Sequence, residues 1–175
     1  ERDENRRPRL KEKWWLFGRT RGDLRTAIRG LPRYIATSRT AKHRLFSFLA
    51  TAVLPDTKVV AIAIADSAYI AVMSSRVHLI WADRTKAMLE DRPTYNHTES
   101  FEPFPFPEMT VAARGPLGRL GDALDAHRKA RQQAHPELAL TDMYNVLEKL
   151  RAGQALNTAE QQIRDMGLID TLRHL

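Results

Sequence analysis

Cysteine is absent from the 175 residues of the sequence. Its absence excludes a disulfide framework, thiolate zinc ligands and cysteine catalysis, and it predicts a reducing, cytoplasmic location. Long apolar runs are missing as well. The longest, residues 59–65, is far shorter than the roughly 18 residues that a membrane-spanning helix needs. We therefore expect no membrane partner, although a hydrophobic content of 43% is enough to build a core.

Motifs for catalysis and metal binding are also lacking. The six histidines form no His-x-x-x-His pair, and the sequence has no glycine-rich phosphate-binding loop and no Gly-x-Ser-x-Gly. Residues 55–58 superficially resemble a nuclease acidic motif, but they lack its second acidic-x-Lys element and instead predict a turn before a strand. We expect neither an active site nor a metal site in this chain.

Positive charge is concentrated at the beginning of the sequence. Residues 1–44 contain 14 basic and 5 acidic side chains, whereas residues 45–175 contain 14 basic and 16 acidic ones. Such a basic segment indicates an anionic partner, of which nucleic acid is the commonest. For the basic leader, residues 1–13, a solvated segment is the competing interpretation. The first residue is Glu1 and no signal peptide follows, so we expect a segment of a longer chain.

The hydrophobic pattern predicts an α+β domain over residues 14–108, with a small mixed sheet and flanking helices. Short apolar runs predict strands at residues 33–37, 44–49 and 58–65. A helix should begin at residue 66 or 67 and continue to about Trp81. Four apolar residues, spaced four, four and three positions apart, should form its inward face. That face consists of Tyr69, Met73, Val77 and Ile80.

The second half of the sequence predicts loops and then helices only. Residues 83–98 are polar and irregular, and three prolines should keep residues 101–107 extended. After a boundary near Glu108, residues 109–175 should form an all-helical subdomain. Its first helix should span residues 116–134, the second should be capped by Thr141, and the third should open with a capping box of Thr158 and Gln161.

Three polar segments are candidates for contacts with nucleic acid. The first lies between two predicted strands, where hydroxyls and cations could donate several hydrogen bonds to a phosphate; a solvated hairpin turn would look the same. The second is a polar stripe within the apolar helix, for which an internal hydrogen-bond network is the alternative. The third offers side chains that match base edges in the major groove, although ordinary surface loops share its composition. The candidates are Arg39, Lys42 and Arg44 for phosphate, then Ser75, Arg76 and His78, and then Glu90, Arg92 and Asn96 toward the groove.

The order of several motifs resembles a known family. They are residues 14–17 (Trp-Trp-Leu-Phe), 31–35 (Leu-Pro-Arg-Tyr-Ile), 37–44, 53–56 (Val-Leu-Pro-Asp), 73–78 (Met-Ser-Ser-Arg-Val-His), Trp81, 101–107 (Phe-Glu-Pro-Phe-Pro-Phe-Pro) and 140–145. In this order they are similar to the target recognition domain of MmeI-like restriction-modification enzymes, which are bacterial single-chain DNA methyltransferases with a fused endonuclease. The resemblance extends from Trp14 to about Asn145, and its last part is similar to the family's C-terminal helical region.

The resemblance implies a module that reads double-stranded DNA for a larger enzyme. In that family, a methyltransferase domain on the N-terminal side uses S-adenosylmethionine to methylate adenine at N6, and magnesium serves the members that also cleave. The Asn-Pro-Pro-Tyr motif and the glycine-rich cofactor motif are missing here, so we expect no catalysis and no cofactor in this segment. Glu90 and Arg92 stand where the family's specificity pair is expected.

A different class of function stays open from the residues alone. The chain could be a non-catalytic scaffold or interaction module whose basic N-terminal part binds acidic protein or RNA. Binding to duplex DNA with a steep salt dependence would favour the recognition domain, whereas no binding would favour the scaffold.

Overall fold

The computed structural model describes residues 22–85, 87–89 and 92–175. The predicted apolar segment at residues 14–17 and the basic leader lie outside these ranges. The elements in chain order are α1 (Gly22–Ala27), β1 (Arg33–Ser38), β2 (Ser47–Ala50), β3 (Val59–Ile62), α2 (Ser67–Ser74), α3 (Arg76–Thr85), β4 (Ala87–Leu89), β5 (Arg92–Thr94), a π-helical turn (His97–Phe101), α4 (Val111–Ala134), α5 (Leu140–Arg151), α6 (Thr158–Gly167) and α7 (Ile169–His174).

The predicted α+β class is confirmed. The three predicted strands form one sheet in the order β2-β1-β3, and β4 and β5 form a separate hairpin. All strand pairs among the described residues are antiparallel, so the expectation of a mixed sheet was wrong in that respect. The eight-residue connection from β1 to β2 favours antiparallel pairing of these two strands, because parallel neighbours need a long crossover. β3 lies on the other side of β1 and is also antiparallel to it.

The central strand β1 is buried on both faces. Ile35 contacts the main core together with Phe46, Ile62 and residues of α2, whereas Tyr34 and Ala36 pack on the other face against Ile28. This division follows from the two-residue period of a strand, which sends neighbouring side chains to opposite faces. Helix α1 therefore covers the face of the sheet that α2 leaves open.

The strand β2 lies at the edge of the sheet, and side chains of α4 bond to its main chain. Asp125 accepts a hydrogen bond from the Phe48 N–H at 3.1 Å, and Lys129 donates to the Phe48 carbonyl at 2.9 Å. Arg128 donates to the Phe46 carbonyl at 2.9 Å. These bonds occupy main-chain groups that an edge strand otherwise leaves unpaired, and they fix the helical C-terminal region to the sheet.

The predicted helix from residue 66 or 67 to Trp81 is two helices, α2 and α3, separated at Ser75. Ser75 has an extended backbone, with φ −66° and ψ 152°, and ends α2. The change of direction rotates the second half of the predicted apolar face outward. Val77 is 71% exposed and Ile80 53% exposed, so the prediction that both lie inward was wrong.

Residues 83–107 are more regular than expected. The hairpin β4–β5 and the π-helical turn occupy much of the segment that the sequence predicted to be irregular. Phe101 ends the π-helical turn, and the chain then turns: the Phe104 N–H donates to the Phe101 carbonyl and the Phe106 N–H to the Phe104 carbonyl. The expectation that residue 101 begins an extended segment was therefore wrong. Phe104 then packs against His78, with ring centroids 4.3 Å apart, and the Phe-Pro segment thereby covers the main core.

The C-terminal helices begin at other residues than the sequence predicted. Helix α4 begins at Val111 and contains Pro116, because Thr110 caps its first turn by accepting from the Ala113 N–H. Helix α5 has no side-chain cap, and α6 opens with a capping box of Asn157 and Glu160. All described elements after residue 108 are helices, as expected, and their core includes Met143, Leu147, Ile169 and Leu172.

Candidate nucleic-acid interface

The connection between β1 and β2 contacts the hairpin β4–β5 at Arg39 and Thr40. The Arg39 N–H donates to the Lys58 carbonyl at 2.6 Å, and the Arg39 carbonyl accepts from the Tyr95 N–H at 2.8 Å. Thr40 and Thr94 form an isolated antiparallel bridge. The Arg39 side chain itself is exposed. The predicted phosphate-binding loop therefore adjoins the segment predicted to contact bases, although Thr40 and Thr94 are 54 positions apart in the sequence.

Lys42 and His43 connect this loop to α5. The Lys42 ammonium donates to the Asn145 side-chain oxygen at 2.5 Å, and the His43 Nε2 lies 2.9 Å from the same oxygen. On its other side, the His43 Nδ1 lies 3.3 Å from a carboxylate oxygen of Glu148. Lys42 is exposed, whereas the side chain of His43 is only 8% exposed. The ammonium of Lys42 has three N–H donors, so its bond to Asn145 leaves it able to contact a phosphate.

Arg44 folds back onto the protein. It donates to the Thr37 hydroxyl at 3.3 Å and to the Ser38 carbonyl, and its guanidinium carbon lies 5.0 Å from the centre of the Tyr95 ring. Burial lowers the pKa of Arg44 to about 10, so it still carries its charge at neutral pH. A free surface cation was expected here, whereas the side chain is half-buried and already bonded to main chain.

A cleft of about 210 Å³ lies beside Arg44. It is bounded by the β1–β2 connection, by α3, by the end of β5 and by α5. Its lining brings together the cations Lys42, Arg44 and Arg151 and the carboxylates Asp83 and Glu148. The cleft is thus mixed in charge, whereas Arg39 is exposed outside it.

His78 lies in the core and is fully buried. Its Nε2 is 3.1 Å from the Tyr95 hydroxyl, and its ring contacts those of Phe46 and Phe104. Burial, and to a lesser extent the charge of Arg44, lowers the pKa of His78 to about 4. A neutral, enclosed ring cannot reach a base edge, so the expectation that His78 lies toward a groove was wrong. The alternative of an internal hydrogen-bond network applies to its Nε2, whereas its Nδ1 and the Ser74 hydroxyl are buried with no hydrogen-bond partner among the described residues.

Ser75, Arg76 and Asn96 lie closer to the surface. The Ser75 hydroxyl accepts from the His78 N–H at 3.4 Å at the start of α3, and the Arg76 side chain is exposed. Asn96 caps the π-helical turn: its side-chain oxygen accepts from the Glu99 N–H, and its amide donates to the Glu99 carboxylate, each at 2.7 Å. Of these three, Arg76 presents the most accessible polar group.

Of the predicted specificity pair, only the main chain of Arg92 is described by the structure. Glu90 lies outside the described residues. The main chain of Arg92 begins β5 and is paired in register with Leu89 of β4. This placement puts position 92 at the end of β5 opposite to the Thr40–Thr94 bridge.

Lys58 is a cation that the sequence analysis did not include. Its carbonyl accepts from the Arg39 N–H, and its side chain is exposed beside the same end of the sheet. The Asp56 side chain bonds to the Lys58 N–H at 2.8 Å and shapes the turn. In the sequence, only the turn before β3 pointed to Lys58. Its pairing with Arg39 could not be predicted, because it depends on the register of the sheet.

Within residues 22–85, 87–89 and 92–175, no three His, Asp or Glu side chains come together as metal ligands would. In the same ranges, no helix combines the length and apolar character needed to cross a bilayer.

Comparison of the chain with protein-family models, with curated proteins and with solved structures finds no match.

Proposed function

We propose that this chain is the sequence-specific double-stranded DNA recognition domain of a single-chain restriction-modification enzyme. The parent enzyme would methylate adenine at N6 with S-adenosylmethionine bound in a separate methyltransferase domain, and it would use magnesium if it also cleaves. In this proposal the described chain binds DNA and the methyltransferase domain, and it supplies no catalytic residue.

The observation that carries the proposal is the contact between the β1–β2 connection and the hairpin β4–β5. The bridge of Thr40 with Thr94 and the hydrogen bond of Tyr95 with Arg39 hold the two segments together. A DNA-reading surface needs backbone contacts that fix register and base contacts that specify sequence. Arg39 and Lys58 would serve the first role and position 92 the second.

The charge distribution supports the same partner. All of the positive excess lies in residues 1–44, which include Arg39. Arg39 and Lys58 are both exposed at the same end of the sheet. Cations that neutralise phosphates release counterions, which makes binding depend steeply on salt. An acidic protein or RNA could also bind such a surface, so the preference for duplex DNA is the property to be measured.

The test is a salt titration of duplex binding with Arg39→Ala and a matched control, Arg173→Ala. Arg173 is exposed in the last helix, α7, and its removal changes the net charge equally. Arg39→Ala should weaken binding to all duplex sequences alike and lower the salt slope by about 0.9, whereas Arg173→Ala should leave both unchanged. Equal effects of the two variants would contradict the proposal, as would tighter binding of RNA than of duplex.

A further inference from the structure

The outward face of α3 carries both aliphatic and charged side chains. The exposed residues of the helix are Arg76, Val77, Ile80, Asp83 and Arg84. At 3.6 residues per turn these positions fall within one continuous arc of the helix surface. Along the helix axis, Arg76 and Arg84 flank Val77 and Ile80; around the helix, Ile80 lies near the middle of the arc, with Val77 at one margin and Asp83 at the other.

Val77 and Ile80 gain little stability from burial. Val77 is 71% and Ile80 53% exposed, whereas side chains of this kind normally gain stability from burial. The opposite face of α3 is already used, because His78 and Ala82 are buried in the core. The helix is therefore fixed in an orientation that leaves Val77 and Ile80 exposed to solvent.

The size and charge of this face favour DNA over a protein partner. Two aliphatic side chains cover far less than the roughly 800 Å² that each partner buries in a stable protein interface. Arg76 and Arg84 match phosphates, and aliphatic side chains in the major groove contact the 5-methyl group of thymine. A single α-helix also fits the groove, which is about 12 Å wide.

The position of α3 agrees with this role. Its last residue, Thr85, is close in sequence to β4, the first strand of the hairpin that carries Arg92. Its Ala82 and Asp83 line the same cleft as Lys42 and Arg44. Of the exposed residues of α3, Asp83 alone lines this cleft, so the exposed face adjoins the cationic loop at its acidic margin.

We propose that α3 lies in the major groove of the bound duplex, with Val77 and Ile80 against thymine methyl groups and with Arg76 and Arg84 on phosphates. This inference rests on the proposed function and names the helix that reads sequence. It adds two specificity-determining residues that polar patterns in the sequence do not reveal.

The experiment compares thymine with deoxyuridine, which lacks the 5-methyl group. A duplex selected from a randomised pool by the full chain is prepared in both forms, and its affinity is measured for three proteins. They are the unchanged chain, the double variant Val77→Ala with Ile80→Ala, and a control, Val53→Ala with Leu54→Ala. The control removes two aliphatic side chains that are also exposed, 49% and 37%, but lie outside α3.

The unchanged chain should bind the thymine duplex about fourfold more tightly for each contacted methyl group. The α3 variant should lose this preference, and the control should keep it. If the α3 variant keeps the full preference, or if the unchanged chain has none, the inference is wrong while duplex binding through Arg39 still stands. If the chain binds no duplex, the proposed function fails together with the inference.

Discussion

Gly121 is the position at which α4 crosses α2, and the crossing leaves no room for a side chain. A Cβ atom on Gly121 would lie 2.0 Å from the carbonyl oxygen of Ser67. Carbon and oxygen atoms in contact normally stay about 3.3 Å apart, so Gly121→Ala would have to separate the helices by roughly 1.3 Å. The obstacle is main chain, which cannot rotate away as a flexible side chain could.

The expected loss of stability follows from this displacement. It would strain the hydrogen bonds that Asp122 accepts from Ser67 at 2.6 Å and from Arg33 at 3.1 Å. Overpacking costs about 1–3 kcal/mol, and a backbone clash places Gly121→Ala at the upper end. The higher helix propensity of alanine offsets at most about 1 kcal/mol of this loss. The free energy of unfolding should therefore fall by about 2 kcal/mol.

Gly118 supplies a matched control in the same helix. A Cβ atom there would have nothing within 4 Å, so Gly118→Ala should raise the free energy of unfolding by about 0.5–1 kcal/mol. Urea unfolding of the two variants and the unchanged chain measures both values. If Gly121→Ala is as stable as Gly118→Ala, the packing of α4 on α2 described above is wrong.

Three further predictions concern other parts of the molecule. Arg128→Ala removes the donor to the Phe46 carbonyl and should lower the free energy of unfolding by about 2–3 kcal/mol, whereas the exposed Arg119 of the same helix should tolerate alanine in the same urea assay. His78 binds a proton near pH 4 when folded but near pH 6.5 when unfolded. His78 therefore does not lower the free energy of unfolding above about pH 6.5, but it should lower it by a few kcal/mol as the pH falls toward 4. The variant His78→Gln should not show this decrease. Exchanging Glu90 and Arg92 for other polar residues in the intact parent enzyme should change the base pair accepted at one position, which methylation mapping would detect.

Each of these has a result that would contradict it. Equal destabilisation by Arg128→Ala and the Arg119 variant would mean that the bonds to β2 are not stabilising. A parallel fall of stability with pH in the unchanged chain and in His78→Gln would assign the acid sensitivity to other groups. An unaltered methylation motif with uniformly lower modification would remove Glu90 and Arg92 from the specificity site.

Local patterns were sufficient to predict the α+β class and the position of the sheet. The strand near residue 33 agrees with β1, because turn residues border a run of buried side chains that sequence pattern detects directly. The boundaries of the second strand were less accurate. Arg44 was placed in it, but this side chain bonds to Thr37 and Ser38, and β2 begins only at Ser47.

Long-range contacts account for what the sequence did not predict. Val77 and Ile80 continue an apolar period from Tyr69 and Met73, and nothing in that pattern indicates the change of direction at Ser75. The burial of His78 depends on Phe104 and Tyr95, which lie beyond the helix in sequence. Likewise, Lys58 became a candidate only through its pairing with Arg39. Periodicity locates elements, whereas the surface that they form depends on how they pack.

Sequence-specific recognition of duplex DNA is the central claim, and one ratio of affinities tests it most directly. The full chain is used to select a duplex from a randomised pool, and its affinity for that duplex is compared with its affinity for a scrambled duplex of the same composition at physiological salt. Our account predicts binding of the selected duplex at least about 10³-fold more tightly. Equal affinities for the selected and the scrambled duplex would contradict it.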